Sequence, residues 1–262
     1  MKTAELVSKY RHTFNTDYTA DANCVVAFLV TESSGTTIQD ATSNNIDGTL
    51  ASSGHPGFSS TVPDTFVSHS LDCDSTSSVA VTSAALDLTS GTDTISGVFW
   101  VKTSATDAAV YTNRKNGDGN PIIDFVIGNN GAANAGTGKP SIIVRGDNGS
   151  GLVWLINGTA VNNNVFHHIA FTINSSKHIN TYVDGVGDTG TDHSMTSGVT
   201  TDQKYFGDEL QNAAIPNFVG LMAEPAIFSD VLTSTEINEI MDYGLKPTSG
   251  VATGFMTCMK MW

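Results

Sequence analysis

Short apolar runs recur along the whole chain and are separated by stretches rich in Gly, Ser, Thr, Asn and Asp. Runs of this length, bounded by turn-forming residues, are typical of β-strands. The predicted strands are CVVAFLV (24–30), SVAVTS (78–83), TISGVFWVKT (94–103), AAVYTNR (108–114), PIIDFVIG (121–128), SIIVRGD (141–147), LVWLING (152–158), VFHHIAFTIN (165–174), INTYVDG (179–185) and FVGLMAEPAIFS (218–229). Their spacing predicts an all-β fold, an antiparallel β-sandwich.

Two segments depart from this pattern and have helical spacing. Residues 4–14 carry apolar side chains on one helical face, which predicts a short N-terminal helix; they are Leu6, Val7, Tyr10 and Phe14. Near the other end, Thr233 and Glu236 match a capping box, and Gly244 supplies a stop. A second short helix is therefore predicted after the last strand.

The strongest turn signal is the pair Asp184-Gly185, because both central residues of a type I′ hairpin turn need positive φ. A length of 262 residues is compatible with one β-sandwich domain. We predict an N-terminal arm over 1–22, the sandwich over 23–246 and an apolar C-terminal tail over 247–262.

The net charge of the chain disfavours two classes of binding partner. The chain has 12 basic and 26 acidic residues, a formal net charge of −14. Such a balance disfavours nucleic acid and an anionic membrane surface as the main partner. No apolar run approaches the roughly 18–20 residues of a membrane span.

Taken in order, several segments resemble the laminin G-like jelly-roll family of the concanavalin A-like superfamily. The most specific is FHHIAFTINSSKHINTYVDGV, followed by FVGLMAEPAIFSDVLTSTEINEIMDYG; VAFLVTESSGTTIQDATSNNIDGTL, SLDCDSTSSVAV and DTISGVFWVKT precede them. The resemblance spans about residues 24–244 and implies a jelly-roll strand order. Pro225 departs from it: Pro lacks a ladder donor, which predicts a bulge or an edge in the last strand.

The resemblance also implies a structural Ca²⁺ site where the first and last strands meet. The matching positions are Asp40, Asn45 and Glu224, whose oxygens are of the kind that Ca²⁺ prefers. The alternative is that Asp40 and Asn45 form Asx turns and that Glu224 is a solvated strand residue.

Catalysis is not expected. Glucanases that share this sandwich use paired carboxylates roughly 5 Å apart. Asp72 and Asp74 would share one strand face, but nothing near them supplies a further Glu, and a solvated edge is the alternative. His167 and His168 are adjacent, so on a strand they face opposite ways and cannot form one site.

Sugar binding stays open on the sequence alone, because lectin-like sandwiches use aromatic and loop polar side chains. The aromatic candidates are Tyr111, Tyr182, Tyr205 and Trp154, against the alternative that they belong to the core.

The sequence is therefore consistent with two functions. The first is a non-catalytic structural or attachment protein on a bacteriophage virion, such as a head decoration, head fibre or tail-associated subunit, with other virion proteins or itself as partner. The alternative is a carbohydrate-binding module for adhesion or glycan recognition, extracellular or at a cell surface. The expected partner-contact residues are the apolar ones of the tail: Phe255, Met256, Met259, Met261 and Trp262.

Overall fold

The computed structural model describes residues 16–51, 56–64, 67–90, 92–115, 121–128, 137–145, 153–195, 197–199, 201, 203–208 and 215–246. The strands are β1 (Cys24–Ala27), β2 (Thr37–Ile38), β3 (Gly48–Leu50), β4 (Gly57–Ser59), β5 (Ser70–Cys73), β6 (Val79–Ala80), β7 (Leu88–Ser90), β8 (Ile95–Lys102), β9 (Ala108–Arg114), β10 (Pro121–Ile127), β11 (Pro140–Val144), β12 (Val153–Ile156), β13 (Phe166–Ile173), β14 (His178–Val183), β15 (Val186–Gly187), β16 (Thr191–Asp192), β17 (Ser197–Val199), β18 (Gln203–Phe206) and β19 (Gly220–Phe228). Two 3-10 helices, η1 (Tyr18–Ala20) and η2 (Ala84–Leu86), and one α-helix, α1 (Ser234–Tyr243), complete the described elements.

The named strands form two large antiparallel sheets. The first has the order β15-β14-β13-β8-β19-β5-β4, with β1 paired to β19 and β16 paired to β14. The second has the order β12-β11-β10-β9-β18-β6-β3-β2, and β17 pairs with β7 in a small separate sheet. This architecture confirms the predicted all-β sandwich, and each predicted strand overlaps an observed one.

Aromatic side chains from both sheets meet in the interior. Phe99 lies 5.6 Å from Phe125 between ring centroids, and Phe125 lies 5.1 Å from Phe171. Tyr111 and Phe206 are 5.2 Å apart and belong to the same core cluster. Residues in this cluster define the inner face of each sheet.

The outer face of the first sheet is partly covered by α1. Thr233 and Glu236 form the predicted capping box, and Gly244 caps the helix end with φ 81°. Ile237 and Ile240 face the sheet. Tyr18 packs in the same cluster, and its backbone N–H donates to the carbonyl oxygen of Leu245, 2.9 Å away.

Two local predictions are confirmed at strand ends and bulges. Asp184 and Gly185 have φ of 49° and 75°, and they link β14 to β15 as a two-residue hairpin turn. The register of β19 on β8 shifts between Ala223 and Ala226, so Pro225 lies in a bulge. The predicted helix over residues 4–14 lies outside the described residues, and the arm and tail boundaries stay predictions.

Candidate functional site

One row of side chains crosses the outer face of the second sheet from strand to strand. In the register of the sheet, Trp154 of β12 lies beside Ile143 of β11, and Ile143 lies beside Asp124 of β10. Asp124 pairs with Thr112 of β9, which pairs with Tyr205 of β18. Because four strand spacings separate its ends, the row is about 19 Å long.

A β-bulge in β9 determines which side chains reach this face. The pairing with β10 shifts between Phe125 and Val126, so Val110 is an extra residue in β9. Val110 and Tyr111 therefore both face the core, and Thr112 faces outward where simple alternation would place it inside.

The floor of the row is a buried ion pair. The Arg114 Nη2 atom lies 3.9 Å from the Asp124 Oδ2 atom, and both side chains are 1% exposed. The Thr112 hydroxyl donates to Asp124 Oδ1 over 3.1 Å. Such a pair adds little net stability compared with an apolar pair of the same volume, because both charges lose their hydration.

Burial raises the pKa of Asp124 to about 6, and the positive charges of Arg114 and Arg145 partly oppose this shift. Burial also lowers the pKa of Arg114, although a guanidinium keeps its proton at neutral pH. A shifted carboxyl group beside a fixed cation is a frequent mark of a functional site.

The accessible part of the site lies around this floor. Trp154 is half-buried and packs against the outer apolar cluster of Ala109, Val126, Ile143 and Ile215, so its ring is held in place. Tyr205 at the opposite end and Arg145 after β11 are also half-buried. The rings of Trp154 and Tyr205 can stack on an apolar sugar face, and the Arg145 guanidinium and the Tyr205 hydroxyl can form hydrogen bonds with the sugar hydroxyls.

Of the four aromatic residues that the sequence offered for sugar binding, two lie in apolar clusters and two lie on the row. Tyr111 is fully buried in the core, and Tyr182 packs beneath α1 in the outer cluster of the first sheet. Trp154 and Tyr205 lie on the row. The sequence reasoning missed Arg114 and Asp124, for which the available signal was a charged residue inside an otherwise apolar strand.

The three residues of the predicted calcium site have separate partners. Asp40 Oδ1 accepts from the backbone N–H groups of Ala27 and Thr42, and Oδ2 accepts from the Thr42 hydroxyl and the Ile46 N–H. Asn45 is exposed, and its side-chain amide donates to a backbone carbonyl oxygen.

Glu224 lies in the bulge of β19 with φ 45°, and it is buried rather than solvated. Its Oε2 atom accepts from the Leu245 N–H over 3.3 Å, and burial raises its pKa to about 8. Within the described part of the chain, no three His, Cys, Asp or Glu side chains are grouped as metal ligands. This donor arrangement does not favour a Ca²⁺ shell, and calcium binding stays a prediction.

The carboxylate pair that the sequence raised as a catalytic alternative does not share a strand face. β5 ends at Cys73, so Asp74 lies in the following turn, where its Oδ1 accepts from Thr76 and Ser77. Asp72 is exposed on the strand. The expected i, i+2 placement was wrong because the strand stops one residue earlier.

His167 and His168 face opposite ways, as adjacent strand residues must. His167 Nδ1 lies 2.8 Å from Asp184 Oδ2. His168 is fully buried beneath Trp100, with ring centroids 5.2 Å apart, and burial lowers its pKa to about 4. The tail residues Phe255 to Trp262 lie outside the described residues, and among those described no helix is long and apolar enough to cross a membrane.

Comparisons with known proteins agree with this fold. The two packed sheets and outer helix define a lectin-like jelly-roll β-sandwich. The laminin G-like family model of the concanavalin A-like lectin/glucanases superfamily matches residues 74–238, more than half of the chain, and the chain belongs to that superfamily. No curated protein sequence matches it.

Several solved structures share the fold at low sequence identity. The binding domain of Paraclostridial Mosquitocidal Protein 1 has a TM-score of 0.63 and 15% identity over 83% of this chain and 51% of that one. Domain 4 of AbnA, an extracellular arabinanase from Geobacillus stearothermophilus solved with arabinotriose, has a TM-score of 0.59 and 14% identity over 83% of this chain and 98% of that one.

The ligand-binding domain of botulinum neurotoxin serotype D, solved with N-acetylneuraminic acid, has a TM-score of 0.57 and 15% identity over 84% of this chain and 50% of that one. This chain therefore spans about half the length of the toxin binding domains and nearly all of the arabinanase domain. At these identities the likeness shows the fold alone.

Proposed function

We propose that this chain is a non-catalytic glycan-binding module and that its binding surface is the row from Trp154 to Tyr205 on the second sheet. The observation that carries the proposal is the buried Arg114–Asp124 pair flanked by two half-buried aromatic rings. The arabinanase domain that matches over nearly its full length is a complex with arabinotriose, which supports a sugar as the ligand class.

The same row supports binding rather than hydrolysis. Asp124 is the single carboxylate among the five described residues of the row, and Arg114 and Thr112 contact it. Glycoside hydrolysis ordinarily needs a second carboxylate roughly 5–9 Å away to act as nucleophile or base.

We expect Trp154→Ala and Tyr205→Ala each to weaken glycan binding at least about tenfold, because aromatic side chains dominate such contacts. Titration calorimetry with arabinotriose and with a sialylated oligosaccharide measures this directly. Tyr243→Ala is the matched control, since Tyr243 is an exposed aromatic on α1, away from the row. Equal binding by all three variants would place the site elsewhere, and no binding of either sugar by the wild type counts against the proposal.

A structural calcium ion at Asp40, Asn45 and Glu224 is a separate proposal, supported by the oxygen chemistry of the three side chains. A bound ion stabilises the native state in proportion to its affinity, by about 2.7 kcal/mol when the ion is at 100 times its Kd. The proposal predicts a higher Tm in 2 mM Ca²⁺ than in chelator, on the order of 5 °C for a domain of this size. An identical Tm in both buffers would contradict the calcium proposal.

A second candidate function is a subunit of a virion surface, with the N-terminal arm and the tail as its contact segments. The observation that favours it is the hydrogen bond between Tyr18 N–H and the Leu245 carbonyl oxygen. Because of it, the two ends of the described chain, Thr16 and Lys246, lie near each other at the first sheet, away from the proposed glycan surface.

The virion candidate predicts self-association or binding to a partner lattice. Light scattering of the full chain at increasing concentration should then show a defined oligomer. A monomer at every concentration, together with glycan binding, leaves the glycan-binding module as the function.

A further inference from the structure

The helix α1 covers only part of the outer face of the first sheet. It packs over Val98 and Ala226 in the outer apolar cluster. Beside this covered part, three half-buried apolar side chains project from adjacent strands around Lys102, whose Nζ atom lies 5.8 Å from the Phe166 ring centroid; they are Trp100, Phe166 and Leu221. We call these three residues the apolar strip.

Two exposed valines lie close in sequence to Phe166 and Leu221 of the strip. Val165 and Val219 are 50% and 44% exposed. Both lie beside Thr103, which accepts a backbone hydrogen bond from Asn164 and donates through its hydroxyl to the Val219 carbonyl oxygen. Apolar side chains grouped on one face of a sheet, as Trp100, Phe166 and Leu221 are around Lys102, mark a docking surface more often than single exposed valines do.

Polar atoms beneath the strip lack partners among the described residues. The Nε1 atom of Trp100 and both ring nitrogens of His168 are buried without a hydrogen bond there. His168 is fully buried under the Trp100 ring. Buried polar atoms normally have a partner, and the backbone of a docked segment offers both donors and acceptors.

The apolar tail begins next to this strip. Leu245 donates its N–H to Glu224, and Glu224 follows Ala223, whose register partner is Trp100. The described part of the chain therefore ends, at Lys246, next to the strand that pairs with the strand of Trp100. Extended, residues 247–262 reach on the order of 50 Å, which is ample.

The chemistry of the tail matches the strip. Its side chains include Phe255, Met256, Met259, Met261 and Trp262. Lys260 is its one charged side chain. Leu221 of the strip has Asp72, an exposed carboxylate, as its register partner on one side and Lys102 on the other, so charges of both signs border the apolar side chains.

We propose that the apolar strip is the docking surface for the tail of the same chain. A short tether holds the tail at a local concentration in the millimolar range, which favours docking within one chain over docking between copies in dilute solution. The inference is independent of the glycan site, which lies on the other sheet. A role of the tail between copies requires that this contact be exchanged, as in domain swapping.

The test uses a fluorescently labelled peptide of residues 247–262 and the full-length protein. In the double variant Phe255→Asp/Trp262→Asp the protein's own tail should no longer dock, so the added peptide binds. Wild type should bind the peptide at least about tenfold more weakly, because its strip is already covered. Trp100→Ala in the double-variant background should reduce peptide binding by about tenfold or more.

A peptide carrying the same two aspartates is the matched control, and near-UV circular dichroism verifies that each variant is folded. Equal peptide affinity for wild type and the double variant overturns the proposal, and so does an unchanged affinity in the Trp100→Ala protein. A wild-type oligomer that becomes monomeric in the double variant also overturns it, since the tail would then cover a neighbouring copy.

Discussion

Replacing Arg114 by methionine should lower the free energy of unfolding by roughly 3–5 kcal/mol, because Asp124 would lose the cation that compensates its burial. Both side chains are 1% exposed, so water does not take over this role. Methionine preserves most of the side-chain volume, which separates the loss of charge from the loss of packing. Denaturant unfolding monitored by circular dichroism measures the change.

The effect of Arg114→Met should depend on pH. Burial already raises the pKa of Asp124 to about 6, and removing the nearby positive charge raises it further. An aspartate with a raised native pKa keeps its proton in the folded state over a range where the unfolded chain has lost it. The destabilisation should therefore be larger at pH 8 than at pH 5, where Asp124 is protonated in the folded protein.

The double variant Arg114→Met/Asp124→Leu is the control for this interpretation. With both charges gone, most of the lost stability should return, as it does when buried ion pairs are replaced by apolar residues. The same variant should fold yet bind glycan poorly, which separates a binding role for the pair from a structural one. A double variant as unstable as Arg114→Met would contradict the account.

The positions of many strands and turns were readable from the sequence because they depend on patterns that short stretches carry completely, whereas the jelly-roll strand order came from the family resemblance. Apolar runs between turn residues located the strands, and Asp184-Gly185 determined a hairpin turn with positive φ at both positions. The capping box at Thr233 and Glu236 located α1. Each of these features needs only neighbouring residues.

The candidate site was not readable because it depends on register between strands. One extra residue at Val110 turns Thr112 outward, and alternation counted from Ala108 gives the opposite face. The short strand β18, which brings Tyr205 to the row, has no apolar run and was not predicted. Whether an aromatic side chain lies in the core or on the surface follows from these pairings, which a single sequence does not specify.

The calcium site, too, could not be decided from residue types alone. A loop carboxylate such as Asp40 is equally suited to a metal ion and to backbone N–H groups, and here it accepts four hydrogen bonds from the chain. Glu224 was expected at the surface or on a metal, and the structure buries it beside Leu245.

The buried Glu224 leads to a second large effect: Glu224→Gln should raise the free energy of unfolding at pH 7 by about 2–3 kcal/mol. The carboxyl group ordinarily has a pKa of 4.5, and burial raises it to about 8 in the folded protein. Between these pH values the native state binds more protons than the unfolded state. Wild-type stability therefore falls as pH rises from 4.5 to 8 and levels off above that range.

Glutamine has the shape of the protonated side chain, and its oxygen can still accept from the Leu245 N–H. The advantage of Glu224→Gln should accordingly be close to zero near pH 4.5, grow with pH and reach its maximum near pH 8. Unfolding midpoints across this range measure it, with Asp72→Asn, an exposed carboxylate on the same sheet, as the matched control. Parallel curves for wild type and Glu224→Gln would mean that Glu224 is ionised in the folded protein, and an anionic Glu224 would make the calcium proposal stronger.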